Sequence, residues 1–142
     1  MAAALLTCLT LVGLGGIHFY WALGGTLGKA GAVPTRPGGG GENRPVLSPS
    51  PVSTAGVGVS LLAMAAIVAM TSGIVQPWLP ATFLRGTCVG LAVLFAARAI
   101  GEFRYLGFFK RVRGTVFAAR DSAIYSPLCL VLALVIALIA RT

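Results

Sequence analysis

Chemistry in this chain has few places to come from. Of 142 residues only three are acidic, Glu42, Glu102 and Asp121, and His18 is the one histidine. Two of those acids and six of the eleven basic residues fall between Arg98 and Tyr125, in RAIGEFRYLGFFKRVRGTVFAARDSAIY. A carboxyl group in apolar surroundings holds its proton more tightly than in water and can then serve as a general acid. Glu102 or Asp121 fits that role, with His18 as the complementary base and Tyr125 as an orienting hydroxyl. Trp21, Arg98, Arg104, Tyr105, Lys110 and Arg111 are the types that would line a pocket for an apolar molecule with an anionic end, because such cations pair with phosphate or diphosphate.

Each of these residues also has a plainer use. Arg98 and Glu102 stand four apart, the spacing of an intrahelical ion pair, although this order is the weaker one. Asp121 reads as the N-cap of a final helix, where its charge suits the helix dipole. Tyr20, Trp21 and Tyr105 are what an interfacial aromatic belt supplies. His18 would be satisfied by one hydrogen bond across a bundle. Cys8, Cys88 and Cys129 all lie within apolar runs and form no CxxC or Cys/His spacing. Neither a metal centre nor a disulfide framework is expected, and no cofactor.

The elements that must carry these residues follow from composition. The chain is 57% hydrophobic and 10% charged, with a mean hydropathy of +0.92. Soluble domains average about 25% charged residues. Fourteen charges cannot cover a water-soluble fold of this size, so the sequence predicts an all-α integral membrane protein, a four-helix antiparallel bundle. Crossing ~30 Å of hydrocarbon takes about 20 residues per helix. Four runs qualify, at about 2–23, 54–75, 81–100 and 122–140, within a single domain covering 1–142. The first run has no basic leader and continues through His18 to Trp21, so it is expected to span rather than to be cleaved. Pro127 tempts one to start the last helix there, but the remaining fourteen residues are too few to cross. A start near Asp121 or Ser122 is expected instead. Residues 29–51 are rich in Gly, Pro and Ser and read as a flexible connector, most mobile at Gly38–Gly41.

Loop charges give an orientation. The connectors at 29–51 and 101–121 carry eight basic residues, and the opposite side carries only Arg85 and Arg141. The positive-inside bias puts both connectors in the cytoplasm and both termini outside. In that topology His18, Arg98, Glu102, Asp121 and Tyr125 reach similar depth, which predicts one polar pocket near the cytoplasmic face. The segment FRYLGFFKRVRG alternates rings with cations, as does a stretch lying among anionic headgroups. Membrane lipids are therefore the expected partners, with an apolar small molecule as ligand. Nucleic acid is not expected.

The blocks HFYWALGG, RAIGEFRYLGFFKR and FAARDSAIYSPLCL resemble an uncharacterised family of small bacterial four-helix membrane proteins that carries only a domain-of-unknown-function label. The resemblance covers nearly the whole chain outside the glycine-rich insert. It implies four spans and a bacterial inner membrane, and no activity. The layout is also loosely similar to that of sterol-isomerase-like membrane proteins, but none of their motifs matches and nothing is carried over. Three functions stand open at this point. The first is binding of a lipid-like or isoprenoid ligand, with or without isomerase- or cyclase-like acid–base chemistry. The second is an accessory subunit of a larger membrane complex, and the third a small oligomeric transporter.

Overall fold

The computed structural model describes residues 1–37 and 43–141. Four apolar helices form the body: α1 (Ala2–Ala22), α2 (Pro51–Thr71), α3 (Ala81–Ile100) and α4 (Val116–Ile139). All four are long and apolar enough to cross a membrane. Large side chains such as Leu5, Leu9, Val59, Val93 and Leu134 point outward, while Leu11, Val68, Cys88 and Ile136 are fully enclosed. An apolar exterior around a thin apolar core is the arrangement a hydrocarbon solvent permits. The core holds α1 against α2 and α3 against α4, with lighter packing between the pairs.

Small residues decide how near α1 and α2 come. A Cβ on Gly15 would stand 3.2 Å from the Gly58 carbonyl oxygen, and a Cβ on Gly58 would stand 3.1 Å from the Phe19 ring. Gly15 thus permits the close approach expected of the first run, whereas Gly13 and Gly16 face open space.

Helix starts differ from expectation at two places, each for a local reason. α2 begins three residues early because Ser50 caps it, its Oγ accepting from the Ser53 N–H at 3.1 Å, with Pro51 in the first turn. α4 begins at Val116, capped by Thr115, whose Oγ1 accepts from the Ala118 N–H at 3.0 Å. Asp121 is therefore not an N-cap; it lies inside the helix. Pro127 is accommodated by a π turn over Asp121–Tyr125, closed by the Ser126 N–H on the Asp121 carbonyl. Widening the turn relieves the clash that proline makes with the preceding turn.

The connector after α1 carries structure of its own. A 3₁₀ turn covers Lys29–Gly31, and strands β1 (Thr35–Pro37) and β2 (Asn43–Pro45) pair antiparallel. The glycines Gly38–Gly41, expected to be the most mobile point, lie outside the described residues. The Tyr125 hydroxyl donates to the Gly31 carbonyl at 3.0 Å, which brings this connector to the head of α4. Both long connectors thus emerge at one end of the bundle, and Ala3, Ser72 and Leu138 meet at the other.

Candidate functional site

The polar centre is Asp121. Its side chain is fully buried, and two cations reach it: Arg98 Nη2 to Oδ1 at 2.8 Å and Lys110 Nζ to Oδ2 at 2.9 Å. Oδ2 also accepts from the Gly107 N–H at 2.9 Å and the Ser126 hydroxyl at 3.2 Å. Lys110, itself only 2% exposed, spends its two other donors on the Gly107 carbonyl at 3.0 Å and Ser122 Oγ at 2.7 Å. Three segments meet here: the end of α3, the loop 101–115 and the first turns of α4. Two cations on one carboxylate leave the cluster with a net positive charge. Arg98 Nη1, buried as an atom, finds no acceptor among the described residues.

The loop 101–115 is shaped to deliver Lys110 and Gly107 to that carboxylate. Gly101 (φ 87°) ends α3 and Gly107 (φ 84°) returns the chain beside it, both left-handed. A Cβ on Gly107 would run into the Ile100 carbonyl and Gly101 itself, so only glycine allows the two strands of the loop this near. The return is fixed by the Phe108 N–H on the Ala99 carbonyl at 2.9 Å. Farther out, Arg111 and Val112 N–H groups donate to the Phe103 and Arg104 carbonyls at 3.2 and 2.9 Å. Phe103, Phe108 and Phe109 are left exposed, as are Arg104, Arg111 and Arg113. The Arg104 guanidinium lies 5.2 Å from the Tyr105 ring centre.

The other residues singled out from the sequence are distributed around this centre rather than gathered into it. Arg98 pairs with Asp121 and not with Glu102. Glu102 is exposed and accepts from the Tyr105 N–H at 3.0 Å, closing the local turn. His18 is half-buried, with Nδ1 2.8 Å from the Leu14 carbonyl of its own helix and its ring edge-on to Trp21 at 5.2 Å. Trp21 donates to the Leu27 carbonyl at 2.8 Å. Tyr125 leans on Phe117, ring centres 6.2 Å apart, and bonds Gly31 rather than either carboxylate. Among the described residues no hydrogen bond or ion pair joins His18 to Glu102 or Asp121.

Sequence reasoning passed over Gly107 and Ser126, which complete the carboxylate's shell, and Ser122, which accepts from Lys110. The signal for Gly107 was its spacing from Gly101, two glycines framing the acidic and aromatic turn. Two cavities meet at Val116, at the head of α4. One, of about 580 Å³, is lined by Lys110, Arg113, Thr115, Val116 and Ser122. The other, of about 550 Å³, lies between the first connector and α4, lined by Lys29, Val33, Pro45, Leu47 and Val116.

Four apolar helices closed at one end by a buried ion network define a small multi-pass membrane protein. The chain belongs to the family described as "Protein of unknown function (DUF3995)", whose match covers residues 11–136 and so reaches into all four helices. No curated protein and no solved structure matches it.

Proposed function

We propose that this protein binds anionic, lipid-like molecules at the end of the bundle that carries both connectors, with Asp121 anchoring the site rather than acting as its acid. The observation that carries this reading is the loop 101–115. Asp121 ties it down from below, and exposed Phe103, Phe108 and Phe109 stand beside exposed Arg104, Arg111 and Arg113 on its outer side. Such rings favour the acyl boundary, and each cation near an anionic surface contributes about 1 kcal/mol. Held between two cations and accepting four hydrogen bonds, Asp121 has no proton to offer a substrate. Glu102, exposed to water, lacks the apolar setting that a general acid needs. Binding is therefore favoured over isomerase- or cyclase-like catalysis. The loop charges support a cytoplasmic position for this end, where anionic lipids concentrate.

Native mass spectrometry of the full chain, equilibrated with equal amounts of phosphatidylglycerol and phosphatidylcholine, tests the reading. Phosphatidylglycerol should be retained preferentially, and Arg104→Gln with Arg111→Gln should reduce the preference. Equal retention of both lipids, or a preference unchanged in the double variant, would overturn it.

A further inference from the structure

The two cavities at the head of α4 differ in character, one partly polar and one mainly apolar, and share one residue. The partly polar one is lined by the buried Lys110 and the exposed Arg113, with the Ser122 hydroxyl beside them. Ser122 Oγ accepts from Lys110, so its own hydrogen remains free to donate. Behind this wall the Arg98–Asp121–Lys110 cluster holds more positive than negative charge, which an anion would balance. The second cavity is lined mainly by the carbon of Ala30, Val33, Pro45, Leu47 and Pro49. Val116 lines both.

We infer that the two cavities form one bipartite site for a single-chain membrane amphiphile with an anionic head. The head occupies the compartment of Arg113, Lys110 and Ser122, and the chain passes Val116 into the apolar compartment under the first connector. This deepens the lipid-binding reading and rests on it, but adds a defined pocket to a charged surface. The position suits the occupant. The helix from Asp121 to Ile139 measures about 27 Å at 1.5 Å per residue, close to the ~30 Å hydrocarbon thickness. Val116 then stands just beyond the hydrocarbon, at headgroup depth. Charge selects the head, and the apolar compartment takes up the chain.

The probe is dodecyl phosphate, titrated calorimetrically into the full chain in neutral maltoside micelles. Inorganic phosphate and dodecanol are the arms that carry only the head or only the chain. Dodecyl phosphate should bind at least about tenfold more tightly than either. Val116→Trp, which fills the junction, and Arg113→Gln, which removes the exposed cation of the head compartment, should each weaken it about tenfold. Val116 is 57% exposed and Arg113 is also exposed, so both variants should fold, and melting curves check this. Should Val116→Trp fail to fold, Arg113→Gln carries the test alone. Inorganic phosphate binding as tightly as dodecyl phosphate, or wild-type binding in every folded variant, would overturn the site. Retained preference for phosphatidylglycerol without any head-plus-chain advantage would remove the pocket and leave the surface reading standing. Loss of that preference with dodecyl phosphate binding intact would do the reverse.

Discussion

Asp121 is enclosed together with Lys110 and paired with the partly exposed Arg98, so removing its charge strands a buried cation. Asp121→Asn should therefore cost roughly 3–5 kcal/mol, the usual penalty for breaking a buried ion pair. A helix N-cap would behave otherwise, since Asn caps almost as well as Asp. Unfolding midpoints in detergent separate the two, and a near-neutral Asp121→Asn would return the residue to a capping role. The cap is Thr115, and Thr115→Ala should lower stability by about 1 kcal/mol in the same assay. The sequence marks Asp121 as important because acids are scarce and this one lies beside a long apolar run. It does not mark its partners. Six cations stand within reach along the chain, and the choice of Arg98 and Lys110 depends on how the intervening loop turns back.

The loop 101–115 is held by backbone contacts that leave little trace in residue type. Gly107→Ala would combine a left-handed φ with a Cβ lodged against the Ile100 carbonyl, so the loop should detach from the end of α3. Limited proteolysis reads this directly. Cleavage after the loop's lysine and arginines should accelerate in Gly107→Ala, and unchanged protection would show that the glycine pair is dispensable. The four helices were legible, because apolar runs of about twenty residues have few other uses. Their starts were less so. The first turn of α4, Val116–Ala119, is apolar but is cut off from the hydropathy run by Arg120 and Asp121, and Pro127 sits where only a π turn lets the helix pass.

For the whole molecule, the orientation is the expectation most open to direct measurement. Arg44, exposed in β2, lies in the first connector, and the native cysteines Cys8, Cys88 and Cys129 all lie within helices. Arg44→Cys should react with an impermeant maleimide only after the cells are permeabilised, and labelling of intact cells would reverse the topology. The two helices between the connectors put them at the same end, but their mutual contact through Tyr125 and Gly31 joins residues 94 apart and has no sequence signature.

The π turn has a consequence for the way α4 is tuned to the rest of the bundle. One extra residue in a helical turn advances everything beyond it by about 100° of rotation, since 3.6 residues make a full circle. The upper turns that present Asp121 and the lower turns that bury Leu132 and Ile136 are therefore set at a phase no uninterrupted α-helix would give. Closing the turn to plain α-geometry with every residue kept, as Pro127→Ala would permit by restoring an N–H, would swing the carboxylate away from Arg98 while leaving the apolar half seated. The two halves of α4 thus behave as separately indexed parts on a common shaft, and the proline after Ser126 is what keeps them from slipping into step.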